Sequence, residues 1–201
     1  MVKAVRAVLV ALGLSLILAA CAPPSVSPVV TRFSQPSLAL QGKTFTILPY
    51  PEQKGSLEFD AWASLMQAEL QALGMAPDPR KGNYVVMFRY ASGLAQQRIR
   101  TDNLSYGMSY CDRPFGGWCH GYDTWPRVYS YTVWPKTLEA VMYEGRSYRA
   151  GKLQSVWEGK AHLDSGSPDF GSDAAPLVQS LFINFPGPSG ISQQYMIQTG
   201  P

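Results

Sequence analysis

The sequence has few of the signals by which enzyme classes are recognised. It contains no Gly-x-Ser-x-Gly elbow, no Gly-rich phosphate loop and no His-Glu-x-x-His pair. The chemistries tied to those motifs therefore have no footing. Only three cysteines and two histidines occur among 201 residues. There is no basic run and no helix with clustered Lys and Arg, which speaks against nucleic acid as a partner. Lys and Arg outnumber Asp and Glu by 17 to 14, and without Lys3 and Arg6 at the extreme N-terminus the excess falls from three to one. No internal repeat is visible. No apolar stretch reaches the roughly 20 residues that a helix needs to cross the hydrocarbon of a bilayer.

What is present begins with MVKAVRAVLVALGLSLILAAC. Lys3 and Arg6 form a short positive region. Ala7 to Leu18 is apolar apart from Gly13 and Ser15. That is the length of a signal-peptide core. Leu18-Ala19-Ala20-Cys21 resembles a bacterial lipobox, in which the cysteine takes a thioether-linked diacylglycerol and becomes the mature N-terminus. The resemblance implies a signal peptide over residues 1–20 and lipidation at Cys21. Each buried methylene contributes roughly 0.8 kcal/mol, so two or three acyl chains hold a protein durably where one does not. Ala22, and not Asp, follows the cysteine. By resemblance to Gram-negative sorting this favours the outer membrane, facing the periplasm, over the inner one. The Pro- and Ser-rich residues 21–41 read as an extended tether.

With Cys21 assigned to lipid, Cys111 and Cys119 remain, inside YCDRPFGGWCHGYDTW. In an oxidising envelope such a pair is expected to form a disulfide. Closing this nine-residue loop contributes about 2–3 kcal/mol, less any strain, on the loop-entropy picture. Two other readings stay open. Zinc would need four ligands, usually at shorter Cys spacing, although His120 adjoins Cys119. A catalytic redox pair more often reads Cys-x-x-Cys. No metal and no cofactor are expected. Aromatic residues crowd around the loop: Tyr106, Tyr110, Trp118, Tyr122, Trp125, Tyr129 and Tyr131. Tyr and Trp supply rigid area with a polar handle, as recognition surfaces do. Tyr110, Trp118, Tyr122, Trp125 and Tyr129 form the candidate binding surface. The competing reading is that these rings pack beneath the loop and fill a small core.

The rest of the chain reads as strands with two helices. Thr44–Pro49 is the first expected strand. Ser56 caps a helix over about 58–73, with Phe59, Trp62, Leu65, Met66, Leu70 and Leu73 on one stripe and Gly74 as its stop. Tyr84–Tyr90 is apolar on nearly both faces and reads as a central strand. Weaker pairing is expected over Gln97–Tyr106. Val128–Trp134 and Thr137–Tyr143 read as two strands separated by Pro135. Leu153–Leu163 puts Leu153, Trp157, Ala161 and Leu163 on one face. A second helix is expected over about 173–185, capped by Ser172 or Asp173. Residues 191–201 read as a loose tail. Short connections favour antiparallel pairing. The expected fold is therefore an α+β two-layer sandwich, mainly antiparallel, with both helices on one face.

The successive blocks TFTILPYPE, LEFDAWASLMQAELQALGM, YVVMFRYASG, VWEGKAHLDSGS and APLVQSLFINFPGPSG resemble, in order, the bacterial lipoprotein family filed as domain of unknown function 4136. The likeness covers most of residues 42–190, read as one domain. It implies a small lipid-anchored protein and transfers no catalytic residue. His162, Asp164 and Ser165 invite a triad, but His162 and Asp164 stand two apart on one strand, where side chains rarely orient one another as base and orienter.

The function expected from these readings is a non-enzymatic binding or scaffolding module. It would be bound to the membrane by its lipid and directed at other envelope proteins or cell-wall polymer. The alternative is a polymer-acting enzyme, whose carboxylates need only converge in space. Mass spectrometry of membrane-extracted protein should find an acylated Cys21 at the mature N-terminus and a Cys111–Cys119 cross-link. Alkylation of both thiols without prior reduction would sink the disulfide.

Overall fold

A computed structural model of the protein describes residues 24–102 and 127–199. Ten strands and three helices are described. In chain order they are β1 (Ser25–Val26), β2 (Val29–Ser34), β3 (Thr44–Ile47), α1 (Leu57–Ala72), β4 (Ala76–Pro77), β5 (Tyr84–Ser92), β6 (Gln96–Asp102), β7 (Arg127–Glu144), α2 (Gly145–Arg149), β8 (Ser155–Ser165), α3 (Gly171–Phe182), β9 (Ser192–Gln194) and β10 (Ile197–Gln198). The main sheet runs β4-β3-β5-β7-β8-β2-β9, with β6 also on β7. All its pairs are antiparallel except those of β3 with β4 and β5. Helices α1 and α3 cover one face, giving the two-layer α+β sandwich that the patterning implies.

The helices form where the spacing places them. Ser56 accepts a hydrogen bond from the Phe59 amide at 3.2 Å, an N-cap for α1. Phe59, Met66 and Leu70 enter the core, and Phe59 stacks on Phe88 with ring centroids 4.8 Å apart. Gly74 ends the helix at φ +84°, a conformation glycine adopts without strain. In α3, Leu177, Val178, Leu181 and Phe182 are buried. Its start differs from expectation. The N-cap is Phe170, and Asp173 lies within the first turn with its side chain turned inward. Helix α2 escaped the sequence reading because it is a single short segment. It sits on the opposite face, where Tyr148 directs its hydroxyl at Met87 Sδ (3.6 Å) and packs at a tilt against Tyr143, ring centroids 5.7 Å apart.

Three boundary readings are corrected. Residues 29–34, expected within a tether, form an inner strand between β8 and β9, and 25–26 pair with 197–198. Proline and serine dominate the average composition there, but VVTRFS itself alternates, and Val30 and Arg32 point into the core. Residues 191–201 were expected to be loose, yet 192–194 add to β2 and 197–198 close on β1. The two strands expected on either side of Pro135 are one strand of 18 residues. Proline is tolerated because the ladder is already broken beside it. Ser92 pairs with Lys136 and Gln96 with Val133, so residues 93–95 oppose only two residues of β7. This is a bulge of one residue. Gly93 donates to the Pro135 carbonyl at 2.7 Å across that gap. An extended residue points its N–H and C=O the same way, so the missing N–H of Pro135 faces the bulge.

Among the described residues two cations are buried in the core. Lys136, on β7, is 0% exposed. Its ammonium donates to Asp173 Oδ2 (2.5 Å), to Ser172 Oγ (3.1 Å) and to the Asp169 carbonyl. All three of its protons are thereby used. Asp173 Oδ2 also accepts from Ser165 at 2.7 Å. Burial pushes the Asp173 carboxyl up, but the hydrogen bonds from Lys136, Ser165 and Ser172 and the Lys136 charge outweigh it and hold the group below the usual carboxylate range. Arg32, on β2, is 2% exposed. It donates to the Ser180 carbonyl at 2.5 Å and to Tyr195 Oη at 3.1 Å. Ser180 lies in the last turn of α3, where the helix dipole favours a cation.

Removing one member of the Lys136–Asp173 pair leaves a buried charge uncompensated. Asp173→Asn should cost about 3–5 kcal/mol in urea unfolding, and Lys136→Met combined with Asp173→Leu should recover most of it. Because the Asp173 pKa is lowered, its contribution is complete above the ordinary carboxylate pKa of about 4 and is lost as pH falls through the folded-state value. Asp173→Asn should flatten the stability profile in that acid window, and an unchanged profile would count against the pair.

Candidate interaction surface

Strand β8 ends at Ser165, opposite Trp134. Beyond that point β6 is the one partner of β7 among the described residues, and the two continue as a ribbon from Gln96↔Val133 to Asp102↔Arg127. One face of the ribbon carries Arg98 opposite Tyr131, Arg100 opposite Tyr129 and Asp102 opposite Arg127. The other carries Ile99 opposite Ser130 and Thr101 opposite Val128. The Arg/Tyr face continues the open face of the sheet. At its base Arg98 pairs with Asp164 of β8 at 2.9 Å, and further out Arg100 pairs with Asp102 at 2.8 Å. Arg127 has no carboxylate partner among the described residues.

Of the aromatic residues singled out in the sequence, Tyr129 and Tyr131 stand on this ribbon, 45% and 49% exposed. Neither fills a core. Cys21, Cys111 and Cys119 lie outside the described residues, as do Tyr106, Tyr110, Trp118, Tyr122 and Trp125. In the sequence, residues 103–126 join β6 to β7.

The remaining candidates do not converge on chemistry. His162 Nε2 is 3.4 Å from Asp164 Oδ1 on the open face, while Ser165 points to the core and donates to Asp173. Parity along β8 alone separates them. A groove of about 510 Å³ runs between α1 and β3, lined by Phe45, Ile47, Phe59, Asp60, Pro77 and Asp78. The Asp78 carboxylate accepts the Lys81 and Arg80 amides at 3.0 and 2.9 Å, and these hold it below the usual range. A catalytic general acid needs the opposite shift. The Lys136–Asp173–Ser165 cluster has the residue types of a catalytic group, but it lines none of the described grooves.

The sequence reading missed Lys136 and Arg32. Both signals were present. Lys136 shares parity with Leu138, Ala140 and Met142, and Arg32 with Val30, so each belongs to a core face once its strand is drawn correctly.

The profile of the family described as Domain of unknown function (DUF4136) matches residues 29–187, and the chain belongs to that family. No curated protein sequence matches it. Among solved structures it is similar to a PDZ domain protein from Parabacteroides distasonis ATCC 8503, with a TM-score of 0.53 and 11% identity over 88% of this chain. The chain spans 40% of the length of that protein. It is also similar to PelC dodecamers from Paraburkholderia phytofirmans in two crystal forms, at 13% and 12% identity and a TM-score of 0.40. Those matches cover 77% of this chain and 93% and 94% of the PelC chains. At 11% identity the likeness to the PDZ domain protein is one of fold alone.

Because Tyr129 and Tyr131 are half exposed, Tyr129→Ala combined with Tyr131→Ala should shift folding stability by no more than about 1 kcal/mol in urea titration. A larger loss would mean that the rings hold the fold together and would remove them from the interaction surface.

Proposed function

We propose that this member of the DUF4136 family is a lipid-anchored protein of the bacterial outer membrane, facing the periplasm, that works as a non-enzymatic binding or scaffolding module. The lipobox-like Leu18-Ala19-Ala20-Cys21 supports the anchor, and Ala22 supports the outer membrane. One observation carries the binding role. The β6–β7 ribbon displays Arg, Tyr, Ile and Val side chains that the core does not use, and its two strands are joined in sequence by the aromatic residues 103–126. Exposed apolar and aromatic area of this kind is costly to keep in water, and it marks interaction sites. Partners of matching chemistry are other envelope proteins or a cell-wall polymer, both of which offer surfaces for Tyr and Arg.

The test is in-cell cross-linking and co-purification of the full chain from membranes, beside a Cys21→Ser control and a Tyr129→Ala, Tyr131→Ala variant. A defined partner should be captured by the lipidated chain and lost with the paired tyrosine variant. Capture that ignores the tyrosines would remove the ribbon from the binding role. Sustained release of products from purified cell-wall polymer by the same protein would replace the scaffold reading with the enzymatic one.

A further inference from the structure

The geometry points to the β6–β7 ribbon as a membrane-contacting arm, seated in the headgroup layer of the bilayer that holds Cys21. The inference rests on the lipid-anchor reading and gives it an orientation. Three observations combine.

The first is where the chain emerges. Pro24 is three residues after Cys21. It is fixed to the domain, because Thr199 donates to its carbonyl from both the amide (2.8 Å) and the hydroxyl (2.9 Å). With β1 and β2 folded into the domain, three residues are all the slack the anchor has, at most about 11 Å.

The second is which end of the domain this is. Ser25 and Val26 line one cleft with Leu163 and Asp164. Asp164 also receives Arg98 from the base of the ribbon. The sheet register agrees, since Val29 pairs with His162 and His162 with Thr137, next to the bulge where the ribbon departs. The lipid site and the ribbon therefore share one end. The ribbon has seven paired positions and extends roughly 20 Å from that end. An arm of that length beside an anchor of about 11 Å has the bilayer within its reach. In this reading it enters the headgroup layer or lies along it.

The third is what the ribbon offers. Ile99 is 73% exposed and Val128 is 63% exposed on one face, and Leu94 at the bulge is 88% exposed. The other face alternates tyrosine with arginine, and the ribbon bears three arginines against one aspartate. Tyrosine is enriched at the level of lipid headgroups, and arginine is drawn to anionic ones. A lipid surface accommodates all of these at once.

The test uses the full chain in cells. The photo-reactive residue benzoylphenylalanine replaces Ile99, Val128 or, at the opposite end of the sheet, the exposed Leu153. All three sites lie outside the core, so the variants keep the fold. After irradiation, the expected result is phospholipid adducts at positions 99 and 128 and none at position 153. Equal lipid labelling at 153, or adducts at 99 and 128 only to protein, a second copy of this chain included, would overturn the inference. The mass of the Cys21 peptide from the same sample separates the two claims. An unmodified peptide refutes the anchor, whereas an acylated peptide without lipid adducts at the ribbon refutes the arm alone.

Discussion

The structure depends on how α3 is held. A helix of 12 residues is marginal alone in water, so its place is set by what the sheet offers it. The sheet offers an apolar strip and a buried cation near each end. Lys136 on β7 meets the first turn through Asp173, and Arg32 on β2 meets the last turn through the Ser180 carbonyl. The arrangement fits the helix dipole at both termini. The acidic Asp173 sits at the positive end and neutralises the lysine, while the arginine sits at the negative end and needs no carboxylate. Apolar packing alone would let the helix slide along the strip. The two ion contacts specify its register, at the cost of burying charge that gives little net stability.

The same contacts fix the root of the ribbon. Lys136 follows Pro135, and both lie where β7 leaves the shelter of the sheet. Val133, where the ribbon begins, is thus three residues from the residue locked to α3. Arg98 and Asp164 add a second tie across the base. Gly187 belongs to this framework as well. A Cβ there would come within 2.5 Å of the Arg32 guanidinium, so the Phe185-Pro186-Gly187 segment can wrap the arginine only with glycine at that position. Trp157 and Gly159 show similar economy. The indole lies over Gly159, where a Cβ would meet it at 2.4 Å, and packs on Phe182 and Phe185 at 5.9 and 5.1 Å. The VWEGKAHLDSGS and APLVQSLFINFPGPSG blocks of the family pattern therefore meet in one packed junction. They describe how α3 is seated, which is why the pattern foretold a fold.

How much was legible in the sequence follows the same physics. The three-to-four spacing of α1, the alternation of Trp157, Ala161 and Leu163 in β8 and the central character of β5 are local patterns, and each survived in the structure, whereas Leu153, expected on the same face of β8, lies before the strand and is exposed. The failures came where a local signal conflicted with a distant partner. Pro135 is a strand breaker by its own chemistry, and only a bulge in the opposing chain makes it harmless. Val29–Ser34 sits among prolines and serines, and only β8 and β9 on either side of it turn it into an inner strand. The C-terminal strand β10 is two residues long and owes its existence to β1, at the other end of the chain. Lys136 and Arg32 read as ordinary surface charges until the strands carrying them are drawn at full length. Part of the candidate surface was visible through Tyr129 and Tyr131. The arginines and aliphatics that share the ribbon with them were not, because cross-strand register decides which residues share a face.

Register also separates what the ribbon does from what the domain does. Within the sheet, one face of β7 is taken by the core and the other by solvent, so every second residue is constrained by packing. From Tyr131 to Arg127 every residue of β7 is exposed, so the constraint is lifted from both faces there. A two-stranded ribbon is marginal in isolation. This one is sustained by the strand continuing from the sheet and by the bulge, which sets its direction, so its side chains carry little of the cost of folding. A surface freed in that way can keep isoleucine, valine and tyrosine exposed without loss to the core. Pro24 is attached at the same end of the domain, so if Cys21 carries lipid as proposed, a bilayer within reach of the anchor is also within reach of the ribbon.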